Sequence, residues 1–183
     1  MILDVVQAPA EVLAAKAKAI EKIDKNVLQL IEDMKETLVA QTDPEGIGLA
    51  APQVGQSVQL FIVKYDDESP FDVYINPVLE LVPDKEKKTK KGEKEREKLE
   101  GCLSLKVIWG VVKRNHKVHM YWMDVDGKEH TATFSGFYAT ILQHEYDHLQ
   151  GILFPRRVLE QKGQLYKSSK DENGKDVFDP VEL

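Results

Sequence analysis

Residues 144–148 read His-Glu-Tyr-Asp-His. On a helix, histidines at i and i+4 project from one face, close enough for both imidazoles to reach a single metal ion. Glu145 lies between them and can hydrogen-bond a water at such an ion without being a ligand. The competing explanation is an accident on a charged helix, but composition puts a chance occurrence on the order of 0.01 for this chain. Two histidines do not complete a site, because a catalytic divalent metal usually takes three protein ligands and keeps one position open. Metallopeptidases of this pattern take the third ligand downstream, where this chain has Phe154 in one arrangement and Lys167, Ser168 and Ser169 in another. Cys102, the one cysteine, stands in Glu100-Gly101-Cys102-Leu103-Ser104 and is the candidate replacement. A lone cysteine is more often an inert buried residue, yet a glycine and two polar neighbours are not an apolar strand.

A third segment, Gly46-Ile47-Gly48-Leu49-Ala50-Ala51-Pro52-Gln53-Val54-Gly55, is rich in small residues. No Lys-Ser/Thr pair follows it, as a phosphate-binding loop would require, and no helix is expected through Pro52 to Gly55. Small residues suit a backbone that approaches a ligand closely, with Gln53 as the polar group aimed at it.

Together the three segments resemble the signature motifs of the peptide deformylases: Gly-x-Gly-x-Ala-Ala-x-Gln, Glu-Gly-Cys-x-Ser and Gln-His-Glu-x-x-His. They stand here as Gly46 to Gln53, Glu100 to Ser104 and Gln143 to His148, in the family's order, within a resemblance running from residue 24 to Phe154. The resemblance implies Cys102, His144 and His148 as metal ligands, Glu145 as general acid and base, and Gln53 with the Leu103 backbone N–H as oxyanion donors. It also implies Gly46, Ile47 and Gly48 as backbone that pairs with substrate. Ile47, Phe137 and Ile141 would line the pocket for the first side chain, and Glu100 and Gln143 would orient the ligands.

The implied reaction removes the N-formyl group from the N-terminal methionine of newly made polypeptides and releases formate. Its partner is a formyl-Met-peptide or nascent chain, and its cofactor one divalent metal, Fe²⁺ in the cell with Zn²⁺ or Ni²⁺ in purified protein. Two alternatives stay open: a metallopeptidase, which lacks its third ligand here, and an inactive deformylase-like module that only binds nascent chains. Departures from the family pattern concern the cleft rim: Lys106 and Val107 replace a usual Pro-Gly pair, and Asn115 replaces the Pro after Arg114.

The elements that must carry these residues follow from periodicity. Val27, Leu28, Ile31, Met34 and Leu38 recur at helical spacing over 24–42, with Asp24 placed to cap. Residues 58–64 form an apolar β-rich run, and 73–76 and 78–82 read as a strand pair interrupted by Pro77. Residues 107–113 and 117–125 return to strand character, and Asp126-Gly127 turns the chain into 128–134. Ser135 can cap a second helix through Leu149, which Gly151 can end. His116, His119 and His130 lack paired spacing and are read as non-functional; Trp109, Tyr121 and Trp122 are read as core or strand-face aromatics. One helix, several strands and a second helix, without βαβ alternation, argue for α+β. The resemblance adds antiparallel sheets packed around a central metal-binding helix.

The chain has 183 residues, 42% hydrophobic and 31% charged, with net charge −6. That composition excludes fibrous and wholly disordered classes and a general grip on nucleic acid through a positive surface. No apolar run reaches the roughly 18–20 residues of a membrane span, and Met1-Ile2-Leu3-Asp4 carries no basic region of a secretory signal. A lone thiol suits a reducing compartment, so a cytoplasmic location is expected. We expect one catalytic domain over 1–161 and a polar, loosely ordered tail over 162–183. Residues 84–98 hold eight basic and five acidic side chains, read as a solvated loop. Transient ribosome contact stays open, since the tail from Arg156 balances six basic against six acidic residues.

Overall fold

The computed structural model describes residues 1–42, 45–83 and 98–182. The loop expected over 84–98 therefore lies, apart from Lys98, outside the described residues.

The first long helix, α2 (Lys25–Val39), follows a short α1 (Glu11–Ala14) that periodicity did not indicate. Asp24 caps α2, its carboxylate accepting from the N–H groups of Asn26 and Val27. Ile31, Met34 and Leu38 point into the core, whereas Leu28 is exposed. Two antiparallel sheets follow. The larger has the order β1-β2-β3-β6-β7, comprising β1 (Gly48–Ala50), β2 (Leu60–Val63), β3 (Asp72–Val82), β6 (Lys117–Met123) and β7 (Glu129–Ser135). The smaller has the order β4-β5-β8-β9, comprising β4 (Leu99–Glu100), β5 (Ile108–Val111), β8 (Leu165–Lys170) and β9 (Asp176–Pro180).

Strand β2 explains the core. All four of its residues are buried, and successive strand side chains point to opposite faces. Leu60 and Ile62 pack with Ile31, Met34 and Leu38 of α2. Phe61 and Val63 pack with Ala139, Ile141, Leu142 and Leu149 of α3 (Gly136–Leu149). The larger sheet is thus sandwiched between two helices, and α3 is central. The fold is α+β.

The structure corrects four expectations. Residues 72–82 form one strand rather than an interrupted pair. Pro77, which has no N–H to give, sits at a register shift between Ile75 and Val78. Asn76 there takes φ 49, and its amide exchanges two 2.8 Å hydrogen bonds with the backbone of Ile20. Second, a one-turn 3-10 helix does form over Ala51–Val54. Pro52 is tolerated because the first N–H groups of a helix lack partners anyway, and Gly55 ends the turn at φ 80. Third, α3 begins without help from Ser135, whose side chain makes no capping bond; Gly136, at φ 67, turns the chain out of β7. Fourth, after α4 (Phe154–Glu160), the tail expected to be loose over 162–183 forms the β8–β9 hairpin. β8 is anchored by pairing with β5 and by burial of Leu165 beside Val158.

Candidate metal centre and active site

His144 and His148 stand one turn apart on α3, and Cys102 reaches them from the turn that follows β4. One donor atom from each of the three lies within 4.8 Å of the others. Cys102 Sγ is 3.3 Å from His148 Nε2. His144 Nδ1 lies 3.2 Å from Glu100 Oε2, which leaves Nε2 for a ligand. Burial holds His148 well below the ordinary histidine pKa, with the charges of His144 and Arg114 adding to it. A ligating imidazole must be neutral, which burial favours for His148. At His144 burial also works to lower the pKa, but hydrogen bonds to Cys102 and Glu100 outweigh it and hold the pKa well above the ordinary value. An arriving ion would therefore displace its proton. A soft thiolate with two imidazoles is a donor set for a first-row divalent ion, and the residues present fit one.

Glu145, the next residue on α3, is buried, and its Oε2 has no hydrogen-bond partner among the described residues. That burial, aided by the charge of Glu100 and opposed by His144 and Arg114, pushes its carboxyl up to about 7. Its carboxylate lies against Gly48: a Cβ there would come within 2.6 Å of Glu145 Cδ. Gly48 therefore needs its missing side chain for close approach, since its φ is not in the left-handed region.

Gln53 lies within the 3-10 turn, its carboxamide held at both ends. Oε1 accepts from the Ala50 N–H at 2.9 Å, while Nε2 donates toward Cys102 Sγ at 3.4 Å and Ser104 Oγ at 3.3 Å. The N-terminal strap ties these segments together. Val6 N–H donates to Gln53 O, Gln7 Nε2 to Leu103 O and Ala8 N–H to Ser104 O, at 2.8 to 3.0 Å.

Cys102, His144, Glu145 and Gln53 border one cleft of about 210 Å³. Gly46, Ile47, Gly48, Gln53, Glu100, Cys102, Leu103, Phe137, Ile141, His144 and Glu145 line it; of the candidate residues, only Gln143 and His148 do not. Strands β1 and β4 are edge strands of their sheets and flank the opening. The Ile47 carbonyl accepts from Lys64 N–H at 2.8 Å, so by strand alternation Gly48, the next residue, turns its main-chain groups outward.

Gln143 differs from its expected part. Its Nε2 donates to Asn115 O and Ala139 O and its Oε1 accepts from Asn115 N–H, so it clamps α3 to the 114–115 loop and bonds no ligand side chain. Arg114, whose importance the spacing did not signal, binds Glu100 and Asp147 and completes the support behind His144. Trp109, read as a core or strand-face aromatic, does stand on strand β5 and in addition lines the cleft. The clue was Gly101: a Cβ there would meet the indole at 2.6 Å, so a glycine beside the cysteine makes room for the ring.

Among known proteins, the model of the polypeptide deformylase family matches residues 2–164. A peptide deformylase of Desulfotalea psychrophila is 36% identical over 170 residues, 91% of this chain and 93% of that protein. One from Chlorobium phaeobacteroides is 41% identical over 177 residues, 93% and 86% of the two chains. The crystal structure of peptide deformylase from Thermotoga maritima superposes with TM-score 0.73 at 31% identity, covering 86% of this chain and 97% of that one. A Synechococcus elongatus peptide deformylase in complex with actinonin gives TM-score 0.72 at 35% identity, covering 85% and 78%. Among the described residues, no helix is long and apolar enough to cross a membrane.

Proposed function

The chain belongs to the polypeptide deformylase family, and from that premise we propose that it hydrolyses the formyl amide of formyl-Met-peptides to formate and a free N-terminus. The observation that carries this reading is the clustering of Cys102, His144 and His148 at a cleft that buried Glu145 and Gln53 also line. Cys102, His144 and His148 would hold a divalent ion, which when bound supplies a Lewis acid for the formyl carbonyl and acidifies a water.

The chain's own residues do the rest. Glu145, with its carboxyl near 7, is balanced to take a proton from the attacking water and return it to the leaving amine. Gln53 already directs Nε2 at the Cys102 side of the cleft. Its N–H strengthens as a donor when the formyl oxygen gains negative charge, with the Leu103 N–H as second donor. Gly46 and Gly48 offer main-chain groups to an extended peptide, which binds without reading its sequence. Phe137, Ile141 and Ile47 offer apolar surface to the methionine side chain. Glu100 holds the His144 ring.

We assign Fe²⁺ as the metal in the cell, with Zn²⁺ or Ni²⁺ able to occupy the same donors, and the cytoplasm as the location. Contact with the ribosome would be transient. Metal analysis of anaerobically prepared protein tests the ion.

The function is tested by formate release from a formyl-Met-peptide, beside an acetyl-Met-peptide and an unblocked peptide. Rapid formate release with slow acetyl turnover and no internal cleavage is the expected result. Cleavage of the unblocked peptide would favour the metallopeptidase, and inactivity of the metal-loaded protein a binding module.

A further inference from the structure

The β8–β9 hairpin begins at Leu165, just past the last residue matched by the family model, yet it touches a residue of the cleft wall. Trp109 of β5 pairs with Tyr166, and Ser168 of β8 pairs with Phe178 of β9. Residues two apart on a strand share a face, so Trp109, Ser168 and Phe178 stand side by side on one face of the smaller sheet. The contacts bear this out. Trp109 Nε1 donates to Ser168 Oγ at 3.1 Å, and the Phe178 ring meets the indole edge-on at 5.6 Å and 83°. On its other side the indole packs on Gly101, next to Cys102. A half-buried tryptophan on the cleft wall is thus held by a hydrogen bond and an aromatic contact from the hairpin. No step of the chemistry above uses either.

We propose that Trp109, held by Ser168 and Phe178, is a specificity-determining residue that receives the side chain following the formyl-methionine, so that the C-terminal hairpin takes part in substrate selection. The inference rests on the deformylase reading. An extended peptide alternates its side chains. A methionine directed at Phe137 and Ile141 of α3 sends the next side chain away from α3, toward the wall that the smaller sheet builds. An indole face there favours an apolar or aromatic second residue over glycine.

The test compares formyl-Met-Leu and formyl-Met-Gly peptides as substrates of the metal-loaded protein. The wild type favours leucine, and Trp109→Ala loses that preference, KM for the leucine peptide rising about tenfold while kcat changes less. Trp109→Phe retains part of the preference, and Phe178→Ala weakens it in the same direction. A second readout does not depend on turnover. The chain has two tryptophans, so Trp122→Phe leaves Trp109 as the sole indole emitter, and its fluorescence shifts with the product Met-Leu more than with Met-Gly. Formate release with an unchanged leucine-to-glycine ratio in Trp109→Ala and Phe178→Ala, or an indole signal indifferent to both products, overturns the inference alone. No formate from either peptide overturns the deformylase reading and this inference with it.

Discussion

Arg114 grips Glu100 with two nitrogens, Nε to Oε1 at 2.9 Å and Nη2 to Oε2 at 3.0 Å, while its Nη1 reaches Asp147 Oδ2 at 2.6 Å. All three side chains are nearly buried. Arg157 approaches Asp147 from α4 at 2.7 Å, so one ion-pair chain runs from the protein's edge to the ring of His144.

Arg114→Met leaves two carboxylates buried without their shared partner. Breaking one side of a buried pair costs about 3–5 kcal/mol of stability, and loosening a ligand's support lowers metal affinity about 10–100-fold. Urea unfolding and chelator competition measure the two effects. Unchanged metal affinity would disconnect this chain of charges from His144.

Glu100 also makes an acid-side prediction for the metal-free protein. Burial works to raise its pKa, but hydrogen bonds from His144 and Arg114 outweigh this and hold it at about 2, below the ordinary 4.5. The unfolded chain therefore binds the proton more readily than the folded one. Glu100 contributes fully above pH 4.5, and that contribution drains as pH falls toward 2. Urea midpoints across this range should fall faster for the wild type than for Glu100→Gln; parallel curves would contradict the assignment.

Gly48→Ala tests close approach rather than folding. The added methyl would press on Glu145, and displacement of a catalytic group by about 1 Å can cost about 10²-fold in rate. We expect kcat to fall by that order while metal stays bound. Near-normal kcat would show that the carboxylate has room to move.

Gln53→Ala should lower kcat by roughly 10²–10³-fold with a smaller change in KM, because its N–H acts on charge that develops in the transition state. It also leaves the buried Ala50 N–H without its acceptor, which costs about 1–3 kcal/mol of stability. An effect confined to KM would place Gln53 in ground-state binding.

Much of the candidate site was legible in the chain because the residues proposed as ligands obey local rules. His144 and His148 share a face by helix geometry alone, and Asp24 capped α2 as its type suggests. What stayed hidden depends on contacts distant in sequence. Arg114 looks like any basic residue until Glu100 and Asp147 fold against it, and Trp109 reads as a strand aromatic until Gly101 makes room. The polar 162–183 stretch forms strands because β5 offers an edge to pair with and Val158 a surface to cover Leu165, neither visible in its composition. The bulge at Asn76 depends likewise on Ile20, 56 residues away.

The division of labour at the cleft is tested most directly by measuring metal content and kcat on one sample of Glu145→Gln. Cys102, His144 and His148 are untouched, so the variant should hold as much metal as the wild type. Its kcat on a formyl-Met-peptide should fall by about 10²–10⁴-fold, the usual contribution of general acid–base catalysis. Full metal with near-normal kcat would contradict the account, because the proton would then be carried by another group.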